Sequence, residues 1–323
     1  MKIERCIVWC LASMLAACRP TEVKVEVHEC AAPPEGRAVA MSFALDSTVY
    51  VVSGRNANGK YVENMLVYSA RTDSWQTKDL PESFLERGNG VACTNGQAAY
   101  MGLGFKGGDI YEAGKYLRDF WRYEPKTDRW TRLADFPSEK TAAAIAFADE
   151  ESVWVGFGFK GYGDEWWRYS IADDRWEAVS KTGSWPSRLM SIAAASCEGR
   201  FFAGTGFHTD CRTEWWEFVP SGNGWERRAS LPRKGRQNAA CGATSQCVWI
   251  VGGWHNGDPL TTGFHFQDIL RYEPASDQWQ TCGGIPCGPT ENGVACGIGR
   301  RLYFGLGESD MQQLHQHWYY IEE

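Results

Sequence analysis

The 323-residue chain shows no sustained helical periodicity, no low-complexity segment and no linker that would mark a second domain. Its short apolar runs are instead separated by Gly, Asp, Asn, Ser and Pro clusters, the pattern of antiparallel sheet. Beyond residue 17 no run is apolar and long enough to span a bilayer, which takes about 20 residues. No basic run is present, and 33 Lys and Arg stand against 40 Asp and Glu for a formal net charge of −7, which argues against nucleic acid as a partner. A phosphate-cradling loop, a GxSxG elbow and an HExxH pair are all missing, and with them the commonest nucleotide, serine-hydrolase and zinc-peptidase chemistries. The histidines number six and no cysteine or carboxylate spacing accompanies them, so neither a metal nor a cofactor is expected.

What the chain does have is a repeat. A glycine closing an apolar run recurs as Gly54, Gly104, Gly158, Gly206, Gly253 and Gly307, at intervals of 50, 54, 48, 47 and 54 residues. Downstream, an aromatic residue and a tryptophan stand seven apart: Tyr68/Trp75, Tyr123/Trp130, Tyr169/Trp176, Phe218/Trp225 and Tyr272/Trp279. A proline follows each tryptophan, at Pro81, Pro137, Pro186, Pro232 and Pro286. Each unit reads as four short strands: one of small residues, one aromatic and β-branched ending at the glycine, one carrying the aromatic cluster, and one running from the late tryptophan to the proline.

The glycine pair Gly252-Gly253, the spaced Tyr272 and Trp279 and the polar turn between them resemble the kelch family over roughly residues 22 to 323. The resemblance implies an all-β, six-bladed propeller of one domain. The blades fall at about 38–81, 88–137, 141–186, 188–232, 236–286, and 291–323 joined by 22–34. Most blades depart from the glycine doublet with Gly-x-Gly, as in Gly102-Leu103-Gly104. Residues 23–34 align with a fourth strand and the C-terminus stops after a third, so the N-terminal strand is expected to complete the last blade and close the ring.

Residues 1–17 read as a signal: Lys2 and Arg5, an apolar run from Cys6 to Ala17, then Leu15-Ala16-Ala17 directly before Cys18. This resembles a bacterial lipoprotein signal, which implies lipidation of Cys18 and an exported protein tethered to the cell envelope, with the lipid as its one membrane contact. Nine cysteines follow Cys18; Cys282 and Cys287 are close enough in sequence to bridge, though no pairing is assigned.

Strand direction sorts the loops. Those from strand two to three and from strand four to the next blade share one face and are long and varied, whereas the turns of the other face, such as EPKTDRW, are short. Two sets of residues converge on the long-loop face. One precedes the inner strands: Arg37, Arg87, Lys140, Arg188 and Arg236, with Glu291 in the sixth blade and Asn89, Asn238 and Asn292 beyond. A broken ring of cations there would attract an anion, with Glu291 as acid or base; alternatively each arginine holds backbone carbonyls or acids of its neighbours. The other set follows the glycines: Phe105, Phe159, Phe207, Trp254 and His255, with Tyr111, Lys160 and Tyr162 nearby. Such rings suit sugar stacking, or they cap the blade interfaces.

Two functions from different classes follow. One is a monomeric binding module offering its long-loop face to a glycan or an envelope protein. The other is a sugar-processing enzyme: compartment and charge resemble the kelch-type bacterial sialate mutarotases (N-acetylneuraminate epimerases), which implies Glu291 as acid/base with Arg236 and Arg37 clamping a carboxylate. The kelch-bearing copper radical oxidases resemble the chain least, since they use seven blades and a Tyr/Cys/His constellation.

Overall fold

The structure, a computed structural model, describes residues 23–107, 116–138, 141–159, 165–186, 189–258, 261–309 and 312–323. Six four-stranded antiparallel sheets stand around an axis, with one further hairpin, Trp254–Asp258 with Thr261–His265. Inner strands such as Met41–Leu45, Ile145–Ala148 and Val294–Ile298 carry small residues and neighbour one another around a narrow channel. The sixth blade joins both chain ends: Val27–Glu29 pairs antiparallel with Trp318–Glu322, with Val27 opposite Ile321. The ring is therefore closed as the sequence predicts.

Packing repeats with the blades. Six buried apolar clusters each draw on two successive blades, and the last joins Tyr303 and Trp318 of blade six to Val49, Leu66 and Tyr68 of blade one. No blade has a core of its own. At about 1.5–3 kcal/mol for each large side chain removed from water, these wedges carry most of the fold's stability.

The repeated residues each have an assignable task. In Gly-x-Gly the first glycine lets the next strand approach: a Cβ on Gly102 would lie 2.1 Å from the Asp119 carbonyl, and one on Gly204 2.2 Å from that of Glu214. The second adopts φ of +82° at Gly104 and +97° at Gly158. Its N–H then crosses to the next blade, Gly54 to the Arg87 carbonyl at 2.9 Å and, closing the circle, Gly307 to that of Arg37 at 2.7 Å.

The spaced Tyr and Trp form a clasp. Tyr169 donates to Asp174 at 2.7 Å, Asp174 accepts from the Ala134 amide of the preceding blade at 2.8 Å, and Trp176 donates to the Ala134 carbonyl at 2.9 Å. Tyr68, Asp73 and Trp75 hold Ala31 in the same way, as Tyr272, Asp277 and Trp279 hold Ala229. Each Asp sits at the positive φ its tight turn requires.

Candidate functional site

At the long-loop face the channel opens through a girdle built from backbone. Val39, Asn89, Ala143, Ser191, Asn238 and Asn292, one per blade, all adopt φ between 52° and 55°. Each N–H donates to the carbonyl of the preceding member, and Val39 donates to Asn292, at 2.8–3.2 Å. The recurrence of asparagine at this position thus has a conformational cause, since Asn tolerates the left-handed region better than most residues.

Three of the expected ring arginines are not at the mouth. Arg37, Arg87 and Arg236 are fully buried. Arg87 pairs with Asp119 at 2.8 and 2.6 Å, and Arg236 with Asp268 at 2.6 and 3.1 Å. Arg37 donates to the Ser53 carbonyl at 2.7 Å, to Asn64 at 2.6 Å and to Glu35. The ring of cations is corrected in register as well. The slot just before the bridging residue holds Arg37, Arg87 and Arg236 in three blades but Thr141, Leu189 and Thr290 in the others. Lys140 and Arg188 each precede the slot by one residue and lie outside the described residues, as do Cys18, Tyr111, Lys160 and Tyr162.

The residues after the glycines form an outer ring: Arg55, Phe105, Phe159, Phe207, Trp254 and Glu308 bridge in turn to Ala38, Gly88, Ala142, Met190, Gln237 and Glu291. Phe105 is buried, edge-on to Tyr61 at 5.5 Å, and offers no face to a ligand. His255 is buried too, its Nδ1–H donating to the Gly235 carbonyl at 2.8 Å. Phe159 and Phe207 are half-buried and line a cavity of about 270 Å³ with Asn89, Ser191, Gln237 and Asn256.

Among the described residues, two pairs bring acidic side chains of blade six into this ring. Glu291 lies 3.0 Å from His265 Nε2, at the end of the blade-five hairpin, and accepts from the Asn238 amide at 2.7 Å. Glu308 pairs with Arg55 and accepts from the Asn292 amide at 2.9 Å. Their side chains are at most 18 % exposed. Architecture does not explain them, because a structural residue of a propeller recurs from blade to blade, and a buried ion pair adds little stability for its desolvation. Glu291 was legible in the sequence. His265, Arg55 and Glu308 were not, although Arg55 and Glu308 interrupt an otherwise aromatic series. Trp254 packs 4.5 Å from the His265 ring and helps hold it.

Among the described residues no three His, Cys, Asp or Glu side chains gather to hold a metal ion, and all nine cysteines are free, Cys282 and Cys287 included. Burial raises both of those thiols, Cys282 to about 11.

This geometry defines a closed six-bladed propeller. A Kelch motif model matches residues 104–137. The chain is 22 % identical over 262 residues to Kelch-like protein 23 of Pongo abelii, and equally to that of Homo sapiens, covering 78 % of this chain and 42 % of those proteins. Kelch-like protein 35 of Mus musculus is 25 % identical over 202 residues, 59 % of this chain and 31 % of its own length. The chain thus spans about two fifths of the length of the Kelch-like protein 23 sequences. Motif, repeat and ring agree that it is a kelch-repeat β-propeller.

Proposed function

We propose that the chain is a binding module that receives a protein partner at the mouth of its long-loop face. The observation that supports this best is the broken symmetry there: the pairs Glu291–His265 and Glu308–Arg55 stand beside a polar and aromatic cavity lined by Phe159, Phe207, Gln237 and Asn238. Asn238 links the two features, lining the cavity while it donates to Glu291. A glycan is the other occupant such amides and rings suit. The signal-like residues 1–17 and Cys18 support export and a lipid tether at a bacterial cell envelope, with the ring working as a monomer. A photo-crosslinking residue at Ser191 in the mouth, against one at Ser276 on the short-turn face, tests the reading in cells. A partner captured from position 191 alone is expected; equal capture from both would overturn it. A thermal-shift screen with neutral and acidic sugars identifies a glycan ligand, which raises the melting temperature of the folded state. Acyl chains on Cys18 in the mature protein's mass test the tether.

A second reading keeps Glu291 as a general base for proton transfer on an acidic sugar, and its contact with His265 supports that role. Arg37 and Arg236 take no part in this version, since internal partners bury them. Glu291→Gln is then expected to abolish sialate anomer exchange while the fold persists, and unchanged exchange removes the residue from any such mechanism.

A further inference from the structure

The junctions between blades are not fastened alike. At three of them the clasp is complete, on Ala31, Ala134 and Ala229. Between blades one and two Tyr123 still donates to Asp128 at 2.8 Å, and Lys78 of blade one meets that carboxylate at 2.6 Å. Between blades three and four every part of the clasp is altered. Phe218 has no hydroxyl, Asn223 replaces the carboxylate, and Trp225 Nε1, on a side chain only 4 % exposed, has no acceptor among the described residues. The residue such a clasp would hold is Ser180, four after Trp176, as Ala134 is four after Trp130 and Ala229 four after Trp225.

A strap stands in for the clasp. Residues 180–185 follow the outer strand Arg175–Ala178 and reach across to blade four, where the Thr182 hydroxyl lies 2.6 Å from the Gly222 carbonyl and 3.2 Å from that of Asn223. Trp185 donates back to the Thr182 carbonyl at 3.0 Å and sets its ring 6.3 Å from that of Trp225. Residues 180–184 are exposed, so the Thr182 bond forms in competition with water, whereas the clasps elsewhere engage a largely buried indole. The core beneath holds less firmly too. Trp154, Trp166, Trp216 and Trp225 share one apolar cluster, and each has a buried Nε1–H with no acceptor among the described residues; no other cluster holds more than one such indole. Nearer the axis the same junction is sound, with Gly158 donating to the Leu189 carbonyl at 2.9 Å and Ser191 to that of Ala143 at 3.2 Å.

We propose that residues 180–185 form a releasable strap, which lifts so that blades three and four part at the rim while the hub stays joined. Release uncovers Trp225 beside Trp185, an aromatic surface that the closed ring hides. This opening is separate from the mouth and requires no ligand there.

Hydroxyl-radical footprinting of the purified protein, read by mass spectrometry at single tryptophans, tests the strap. Trp279 is the matching residue of a clasped junction and is 7 % exposed against 4 % for Trp225, so a ring that never opened would oxidise Trp225 no faster. With a releasing strap Trp225 is expected to oxidise at least about threefold faster than Trp279. Thr182→Val, at an exposed position, is expected to raise Trp225 oxidation about fivefold and to leave Trp279 unchanged. Phe218→Tyr combined with Asn223→Asp supplies the missing clasp and is expected to bring Trp225 down to the level of Trp279. Wild-type oxidation of Trp225 no faster than that of Trp279, or a rate that Thr182→Val leaves unchanged, overturns the proposal. An equal rise at both tryptophans in Thr182→Val overturns it as well, because it reports loosening of the whole ring.

Discussion

Glu291 of blade six and His265 of blade five meet across a blade boundary with 3.0 Å between Oε1 and Nε2. A carboxylate only accepts, so this contact places the imidazole proton on Nε2. Removing the carboxylate leaves that N–H and the Asn238 amide facing a space too confined for full hydration. Glu291→Ala is therefore expected to destabilise the fold by about 1–3 kcal/mol, and Glu291→Gln by less, since the amide oxygen can still accept. Urea denaturation of both variants measures this. No loss in either would mean that the two contacts add nothing in solution.

Arg236 and Asp268 make a different forecast. With the guanidinium fully buried, Arg236→Ala leaves a cavity and leaves Asp268 only its longer 3.5 Å contact with Arg233, and is expected to cost about 2–3 kcal/mol, with Arg236→Lys intermediate because one ammonium cannot satisfy both oxygens. The phenotype should be loss of fold, visible in the urea midpoint before any binding assay. A variant that melts like wild type would restore Arg236 as a candidate ligand residue.

The acid sensitivity of the fold follows from two carboxylates. Burial on its own raises Asp119 and Glu217. The guanidiniums against them outweigh it, Arg87 for Asp119 and Arg200 with Arg228 for Glu217, so both end below the usual carboxylate range. A carboxyl lower in the folded than in the unfolded chain leaves the folded state with fewer bound protons. Its stabilisation is then complete above the ordinary carboxylate value of about 4 and fades as pH falls through the lower folded value. Urea midpoints should thus hold from neutral pH to about pH 5 and decline as the pH falls further. Asp119→Asn and Glu217→Gln should start lower at neutral pH and decline less, and parallel curves for variant and wild type would sink the assignment.

The ring was legible in the sequence because most of its constraints are local and recur from blade to blade, and its closure because residues 23–34 align with the strand the last blade lacks. Gly104 and Gly158 must take positive φ, Tyr169 must reach Asp174 five residues on, and 23–34 must supply the missing strand. The mouth was not, because its contacts are long-range and occur once. Arg55 and Glu308 are 253 residues apart in the chain, and His265 sits in a hairpin inserted into a single blade. Local register misled as well. Lys140 and Arg188 stand one position off the slot of Arg37, Arg87 and Arg236 in the sequence, and both lie outside the described residues. Asn89, Asn238 and Asn292 recur for their backbone conformation, which no reading of side-chain chemistry reveals.

The clasp at Asp174 separates backbone from side-chain causes. Asp174 has φ of 48°, accepts from Tyr169 at 2.7 Å and holds the Ala134 amide of the preceding blade at 2.8 Å. Asparagine tolerates the same φ and keeps one acceptor oxygen, so Asp174→Asn is expected to cost under about 1 kcal/mol. Alanine loses both hydrogen bonds and strains the turn, so Asp174→Ala should cost about 2–3 kcal/mol. Blade four already carries the weaker form, with Phe218 in place of the tyrosine and Asn223 at φ 48°, and its turn persists. The clasp therefore fastens neighbouring blades without being required to form the turn. Equal losses for the Asn and Ala variants of Asp174 would instead assign its role to charge.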